Sequence, residues 1–335
     1  MNHLELIDGL LKGNYQSVLH AAVALRPIDY AGNIFDQIPV IDYLNLHPFL
    51  LKGFKITDEF DSDNIIGLTE ANHLVKLSFK NNKIQKIVIQ KPNPLIKRIK
   101  LIIQYDGTNY AGFQRQSKLE TIQSQLESAI SQVNGKFTIV NGASRTDAGV
   151  HAFGQVVHFD TELEIPLDKW VVILNNSLPK DIRVKTAEWV SQLFHSRFDV
   201  MSKEYRYVLN LGQYSPFTRL YEWNVTNPID FELLNQELKK LEGTHDFTSF
   251  CKGDKSSKIR TIYETKIERI DDKVYLTFIG NGFLHNMIRI IVAVLIGIAS
   301  HRIKSDIDTI LESKSRKVTK YLAPSSGLYL VKINF

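Results

Sequence analysis

A carboxylate set among small residues is the feature of this sequence best suited to chemistry. The segment NGASRTDAGVHAFGQVVHF places Asp147 between Arg145 and Gly149. Small neighbours let the backbone approach a bulky ligand. We expect the Arg145 guanidinium to lower the pKa of Asp147 and keep it ionised, as a nucleophile or general base requires. By residue type alone, a turn in which Asp147 caps the next element is the commoner explanation.

A single arginine interrupts the most hydrophobic stretch of the chain, Phe283 to Ala299. An unpaired buried guanidinium costs several kcal/mol, so Arg289 must either meet an anion or extend to the surface. No carboxylate lies in or beside this stretch. A functional interpretation therefore pairs Arg289 with the distant Asp147, and the residues alone leave both possibilities open.

Aromatic and basic segments could hold a nucleic acid. In SKEYRYVLN, strand periodicity places Tyr205 and Tyr207 on one face, where they could stack on a nucleobase or pack in the core. Two segments, Lys97 to Gln116 and Asp246 to Ile262, mix basic, hydroxyl and aromatic side chains. This mixture suits a surface that follows phosphates, although solvated loops explain each segment equally well.

Composition narrows the chemistry. The ten histidines lack metal-ligand spacing, and the sequence has no Gly-rich phosphate loop and no G-x-S-x-G motif. We therefore expect neither a metal nor another cofactor, and chemistry that runs on Asp, Arg and Tyr. The single cysteine, Cys251, and the lack of a cationic leader or a long apolar run favour the cytoplasm over a membrane or secreted location.

The elements that must position these residues indicate more than one domain. A chain of 335 residues exceeds the usual size of a single core. Two prolines interrupt the pattern within KPNPLIKR. Residues 1–95 carry nine basic and ten acidic residues, whereas residues 96–335 carry 32 and 26, so a polyanion should meet the second part. We predict an N-terminal domain at 1–95 and a catalytic domain with halves at 96–200 and 201–335.

Hydrophobic periodicity predicts a mixture of helices and strands without regular βαβ alternation. Helices are expected at Leu4–Leu11, Tyr15–Leu25 and Phe283–Ser300, and strands at Phe137–Ala143 and Lys203–Asn210, among others. The fold class is therefore α+β with a largely antiparallel sheet, built from two similar halves with flanking helices. The N-terminal domain is expected to be a small α+β domain, and its order of elements resembles NTF2-like domains.

Eight segments in order resemble one known family. The run SRTDAGVHAFGQVVHF resembles the active-site motif of the TruA-type tRNA pseudouridine synthases. Two further family motifs precede this run, YDGTNYAGFQRQ and TIQSQLESAI. Five come after it, in the family's order: FHSRFDVMSKEYRY, DFTSF, RTI, GNGFLHNMIRIIVAVL and APSSGLYLVKINF. The resemblance covers about residues 97–335. It implies isomerisation of uridine to pseudouridine in the anticodon stem and loop of tRNA, by a homodimer whose two subunits the tRNA bridges.

The resemblance also implies roles for individual residues. Asp147 matches the catalytic aspartate that acts as nucleophile or base, and Arg289 matches the basic residue that pairs with it. Arg145 matches the arginine that helps to extrude the target nucleotide, and Tyr205 matches the tyrosine that stacks on the flipped base. Residues expected to contact substrate are Phe113, Arg115, Gln116, His151, Gln155, Arg197 and Tyr207.

Two residues depart from the family pattern. Phe113 stands where tryptophan is common, which is a conservative change. Ser144 stands where glycine often precedes the RTD motif, so its side chain could alter how the loop approaches RNA.

Three alternatives remain open at this stage: a catalytically weak RNA-binding relative or tRNA folding aid, a main role in the N-terminal domain, and N-glycoside hydrolysis. A truncation lacking residues 1–95 addresses the second. If the front domain is an independent appendage, tRNA modification in cells will be unchanged. If modification is lost although the truncated protein folds, the front domain takes part in the reaction.

Overall fold

The chain divides into two compact units. The computed structural model describes residues 3–12, 19–28, 51, 54–61, 64–69, 73–80, 83–90, 93–252 and 257–335. The first unit comprises Met1–Lys97 and Ser191–Phe194, and the second comprises Arg98–Val190 and His195–Phe335. The predicted division of the second part into halves at residue 200, and the NTF2-like kind of the first, stay predictions.

The first unit combines a helix with a sheet. Its described elements are α1 (His3–Leu11), β1 (Leu19–Ile28), β2 (Lys55–Asp61), β3 (Asn64–Leu68), β4 (Leu74–Lys80) and β5 (Lys83–Gln90). The strands pair in the order β1-β5-β4-β3-β2, with β1 parallel to β5 and the other neighbours antiparallel. Leu6 and Leu10 of α1 share a buried cluster with Leu77 and Ile87 of the sheet. The helix therefore covers one face of this sheet.

The expected helix at Tyr15–Leu25 is wrong from residue 19 onward. Residues 15–18 lie outside the described part of the chain, and Leu19–Ile28 forms β1. Leucine and alanine favour helices, but residues 24–28 of β1 pair with residues 86–90 of β5. Sheet pairing outweighs intrinsic propensity, which differs by less than about 1 kcal/mol per residue.

A short segment of the later chain belongs to the first unit. Leu193 packs with Ile66 and Val88 in a buried cluster. The Gln192 amide donates to the carbonyl oxygens of Asn93 at 2.8 Å and Ile96 at 2.6 Å. A truncation at residue 95 therefore also removes the packing partners of Leu193.

The second unit holds the remaining elements. They are β6 (Lys97–Tyr105), α2 (Ile122–Asn134), β7 (Asn141–Gly142), β8 (His151–Thr161), α3 (Leu167–Ser177), β9 (Ile182–Val190), β10 (Ser202–Asn210), β11 (Trp223–Asn224), α4 (Phe231–Lys239), β12 (Gly243–Asp246), β13 (Ile259–Ile270), β14 (Lys273–Gly280), α5 (Met287–Ala299), α6 (Ile307–Glu312) and β15 (Leu328–Asn334). Short 3₁₀ turns lie at Phe247–Phe250, Arg316–Val318 and Ser325–Gly327.

One large sheet joins strands from early and late parts of this unit. The order is β12-β13-β14-β10-β15-β8-β6-β9, with β7 on β8 and β11 on β10. The β15–β8 and β10–β11 pairs are parallel. The antiparallel pairs are β12–β13, β13–β14, β14–β10, β10–β15, β6–β9 and β7–β8. The predicted α+β class with a largely antiparallel sheet and flanking helices is confirmed.

Local sequence explains most of the element boundaries. Thr121 and Ser124 form a capping box that starts α2, and Gly135 ends it in the left-handed conformation with φ 67°. Strand β6 alternates buried and less buried residues, as a sheet with one covered face requires.

Two of the expected elements are shorter than predicted. The helix expected from Phe283 begins at Met287, because Asn286 adopts a left-handed conformation with φ 60° immediately before it. Within the stretch predicted as a strand, Phe137–Ala143, only Asn141–Gly142 forms a strand, paired with β8.

Gly107, two residues after β6, tests how closely the backbone packs against the residue that precedes β8. A Cβ at Gly107 would lie 2.0 Å from the Val150 carbonyl oxygen, and backbone cannot swing aside as a side chain can. We expect Gly107→Ala to lower the free energy of unfolding by about 3 kcal/mol. Urea unfolding followed by tryptophan fluorescence reports on this unit, because Trp170, Trp189 and Trp223 all belong to it.

Gly282→Ala is the matched control, since the nearest atoms to its added Cβ lie 3.8 Å away. Its effect should stay within about 0.5 kcal/mol. Equal losses in the two variants would contradict the packing argument.

Candidate active site

Asp147 lies in the loop between β7 and β8, and a second loop packs directly against it. The Phe113 backbone N–H donates to the Thr146 carbonyl oxygen at 3.0 Å. Gly112 has φ 96°, and a Cβ there would lie 2.8 Å from the same oxygen. Glycine is therefore needed at this contact, both for its conformation and for the close approach. The Asp147 side chain keeps 19% of its surface exposed, so it faces an opening in an otherwise packed loop.

The start of helix α5 delivers three partners to this carboxylate. Arg289 Nη1 lies 4.0 Å from Asp147 Oδ2, and His285 Nε2 lies 3.5 Å from Asp147 Oδ1. The Asn286 backbone N–H donates to the same carboxylate. The predicted pairing of Arg289 with Asp147 is therefore present, and each carboxylate oxygen has its own basic side chain as a neighbour.

Arg289 is itself fixed by the protein. Its Nε donates to the Ala323 carbonyl oxygen at 2.8 Å, and its Nη1 donates to Asn286 Oδ1 at 3.1 Å. Its side chain is 14% exposed. A guanidinium held at two points can orient a carboxylate without losing much rotational freedom on pairing.

The ionisation of Asp147 differs from the expectation. Burial raises the pKa of Asp147 above its ordinary value, and His285, Arg289 and the Asn286 N–H offset the rise only in part. Arg145 is exposed and donates to Gln114 Oε1 at 3.2 Å. The expected lowering of the Asp147 pKa by Arg145 is therefore wrong: the groups that lower this pKa lie at and just before the start of α5, and desolvation outweighs them.

A buried polar network supports the loop from below. The Gln155 side chain is fully buried; it accepts from the Ser144 N–H at 3.1 Å and donates to the Ser144 carbonyl oxygen at 2.7 Å. The Tyr105 hydroxyl bonds to Thr146 Oγ1 at 2.8 Å. Gln155, expected to contact substrate, thus has both ends of its amide engaged with the loop backbone. It holds the loop in place.

The two tyrosines of β10 occupy different surroundings. The Tyr205 hydroxyl bonds to Ser144 Oγ at 2.8 Å, and the Phe283 ring meets the Tyr205 ring edge to face at 5.3 Å. The Tyr207 hydroxyl donates to the Pro324 carbonyl oxygen at 2.7 Å, and its side chain is fully buried. Burial raises the pKa of both phenols. Tyr205 therefore borders the Asp147 loop, and Tyr207 lies in the core beneath.

Three expected substrate contacts lie on or beside the neighbouring loop. Phe113 is buried against Gly142, where its ring leaves no room for a Cβ. Arg115 Nη1 pairs with the buried Glu127 carboxylate at 2.9 Å. Gln116 donates to the Ala111 carbonyl oxygen at 2.8 Å. These contacts give all three residues a place in the packing of the loop.

His151 and Arg197 complete the expected set. The His151 ring is buried; Nδ1 accepts from the Gly107 N–H at 3.1 Å, and Nε2 donates to the Leu220 carbonyl oxygen at 3.0 Å. The same Nδ1 lies 3.1 Å from Asp106 Oδ1, but burial lowers the pKa of His151, which favours the neutral ring with its proton on Nε2. His151 is thus not directed at the Asp147 carboxylate, whereas Arg197 is exposed and electrostatically coupled to Arg145.

Two neighbours of the loop were missed from the sequence. His285 stands four residues before Arg289, a spacing that brings side chains together at the start of a helix and could have identified it. Lys203 Nζ donates to the Ala143 carbonyl oxygen at 2.8 Å. No residue pattern marked Lys203, because the contact joins β10 to a loop 60 residues earlier.

The described residues contain no group of three or more His, Cys, Asp or Glu side chains placed to hold a metal ion. None of the helices in the described ranges is both long and apolar enough to span a bilayer.

Comparison with known proteins identifies the family. The profile of the family described as tRNA pseudouridine synthase matches residues 101–199 and 238–335. The chain belongs to this family. Proteins named tRNA pseudouridine synthase A from Exiguobacterium sp. and Anoxybacillus flavithermus are 42% and 44% identical over 243 and 244 residues. These alignments cover 72% of this chain and 98% and 99% of the relatives.

A relative of the same name from Staphylococcus aureus is 41% identical over 240 residues, which is 70% of this chain and 90% of the relative. The family match begins at residue 101, so the first unit lies almost entirely outside it.

The ionisation of Asp147 makes a prediction for activity in this family member. Because the Arg289 cation lowers the pKa of Asp147 against the effect of burial, Arg289→Met should raise that pKa further. A reaction that needs the ionised carboxylate is lost as pH falls through its pKa. The acid limb of the pH profile of kcat/KM for pseudouridine formation should therefore move to higher pH.

His285→Gln should move this limb in the same direction, since His285 is the largest of the opposing influences on Asp147. Lys169→Met removes an exposed cation from α3 and should leave the limb in place. An unchanged limb in both site variants would show that the ionisation of Asp147 does not control the rate.

Proposed function

We propose that this chain isomerises uridine to pseudouridine in the anticodon stem and loop of tRNA, with Asp147 as nucleophile or base. Membership of the family supports the coarser statement that the chain is an isomerase acting on tRNA uridine. The observation that carries the finer proposal is the Asp147 carboxylate at 3.5 Å from His285 and 4.0 Å from Arg289, partly open to solvent.

The reaction needs an oriented carboxylate and little else. Uracil leaves at its N-glycosidic bond, turns within the pocket and rejoins the ribose through C5. C5 then gives up its proton and N1 gains one, so the product is an isomer of the substrate. Charge develops at C1′ or C6 during this exchange, and a fixed carboxylate can stabilise it. The partners of Asp147 hold both of its oxygens before substrate arrives, which reduces the reorganisation needed in the transition state.

Access to the uridine comes before chemistry. A base stacked within RNA cannot reach a pocket, and flipping it out costs a few kcal/mol. Arg145 is exposed two residues before Asp147, which suits the proposed role of extruding the nucleotide and filling its place. Tyr205 borders the same loop through Ser144, which suits a platform for the flipped base.

We also propose a cytoplasmic homodimer whose subunits are bridged by one tRNA, with residues 1–95 as an accessory domain and residues 96–200 and 201–335 as the halves of the catalytic domain. The surplus of 32 basic over 26 acidic residues in 96–335 supports contact of the catalytic domain with a polyanion. The single buried cysteine, Cys251, suits a reducing compartment.

Replacing one carboxylate by its amide tests the proposal. Asp147→Asn should reduce pseudouridine formation by at least about a thousand-fold, because the amide has the shape but not the charge of the carboxylate. Affinity for tRNA should stay within a few-fold, since phosphate contacts dominate binding. The measurement is pseudouridine mapping on tRNA from a deletion strain, complemented with each variant, together with tRNA affinity in vitro.

Asp168→Asn is the control, because Asp168 is an exposed carboxylate in the first turn of α3. It should keep full activity. Near-normal turnover by Asp147→Asn would refute the catalytic assignment. Release of free uracil by the unaltered protein, with an abasic product, would instead identify a hydrolase.

A further inference from the structure

Lys203, which bonds to the Asp147 loop, lies within electrostatic reach of Arg145, Arg197 and Arg260. Among the residues that the structure describes, none of these four cations forms an ion pair with a carboxylate. We propose that Lys203, together with Arg145, Arg197 and Arg260, forms a binding site for one backbone phosphate adjacent to the flipped-out uridine. This phosphate site rests on the proposed function, since it names how the RNA backbone is held while the base enters the pocket.

Lys203 lies at the centre of the site. It is the second residue of β10, and its Nζ donates to the Ala143 carbonyl oxygen at 2.8 Å and to Ser144 Oγ at 3.3 Å. An ammonium group carries three N–H donors, so one remains for an anion. Ser144 also bonds to Tyr205, and the anion would therefore lie next to the proposed base platform.

The four cations come from four separate segments of the chain. Arg145 is on the Asp147 loop, Lys203 opens β10, and Arg197 precedes β10. Arg260 is on β13, where its Nε lies 3.8 Å from the position of a Cβ on Gly282, one residue before the Phe283 ring that packs on Tyr205. Bringing like charges together in a partly buried place has an electrostatic cost.

That cost affects the protonation of Lys203. Burial and the charges of Arg197, Arg145 and Arg260 lower the pKa of Lys203 to about 8. Ion pairs within 4.0 Å are common elsewhere in the described ranges, yet none of them includes any of these four side chains. A bound phosphate would supply the missing negative charge and favour the protonated form of Lys203.

Arginine is the usual residue for phosphate recognition and stays charged, whereas the residue at the centre of this site is a lysine, which can lose its charge. Lys203 is partly neutral near pH 8 in the free protein and would be charged in the complex. Binding above pH 8 would therefore take up a proton, and affinity would fall as pH rises. The charged groups facing Lys203 are the three arginines, and the Tyr205 phenol, with its raised pKa, stays neutral in this range.

The first experiment measures tRNA affinity against salt concentration for the full-length protein and three variants. Lys203→Met should weaken binding about ten-fold near 0.1 M salt and reduce the slope of log K against log salt by about 0.7 to 0.9, the value for one lost phosphate contact. Lys203→Arg should bind within about three-fold of the unaltered protein. Lys169→Met, which removes an equal charge from α3, should change neither quantity in this way.

The second experiment identifies the ligand as a phosphate. Stem-loop RNAs carry a single uncharged methylphosphonate on one side or the other of the mapped uridine. One of the two substitutions should weaken binding to the unaltered protein about ten-fold and have little further effect on Lys203→Met, because both changes remove the same contact.

A pH series keeps the test informative if Lys203→Met fails to fold. Between pH 7 and pH 9 the affinity of the unaltered protein should fall by up to about ten-fold, and that of Lys203→Arg should stay flat. The proposal is overturned if Lys203→Met matches Lys169→Met in affinity and salt slope, or if Lys203→Arg retains the pH dependence. Absence of pseudouridine formation by the unaltered protein would refute the proposed function. The affinity measurements test the phosphate site alone.

Discussion

The chemistry that we propose for this protein depends on how one carboxylate is taken out of water. Asp147 is partly buried in a loop, and burial alone would favour its protonated form. The N-terminal end of the most apolar helix offsets this effect in part by presenting a backbone N–H, an imidazole and a guanidinium to the same group. A helix N-terminus attracts negative charge, so the direction of α5 adds to the effect of Arg289.

The loop that carries Asp147 is held by groups that never reach the cleft. Gln155 satisfies both backbone atoms of Ser144 with one fully buried amide, and Tyr105 bonds to Thr146 next to Asp147. A buried amide with unsatisfied ends would cost about 1–3 kcal/mol, so the loop and Gln155 stabilise each other in one arrangement. The positions of Arg145 and Asp147 are therefore set by packing on the side of the loop away from solvent.

Opposite charges and like charges serve different purposes on the two sides of this loop. On one side, the Asp147 carboxylate meets cations and is fixed before substrate binds. On the other, Lys203 and its arginine neighbours form no ion pair with a carboxylate of the described residues, and in our proposal an RNA phosphate relieves their repulsion. An RNA nucleotide has both parts that this arrangement would need, a neutral base and a charged backbone.

The sequence by itself determined the family, the α+β class and the identity of the central carboxylate. Eight ordered motifs, strand alternation as in β6 and helix caps as in α2 are local signals, and local signals can be read from residue types and spacing. It also offered Asp147 as the partner of Arg289, which was one of the two possibilities that the residues left open.

Only the tertiary structure decided the direction of the Asp147 pKa shift, the supporting role of Gln155 and the convergence of Lys203 with the arginines. Desolvation depends on all the atoms packed around a group. His285, Asn286 and Arg289, which oppose the effect of burial on the pKa of Asp147, lie far from it in the chain. The strand at Leu19–Ile28 was mistaken for a helix for the same reason, since its partner β5 lies about 60 residues later. The site is built from contacts between segments that are distant in the chain, and hydrophobic periodicity carries no information about such contacts.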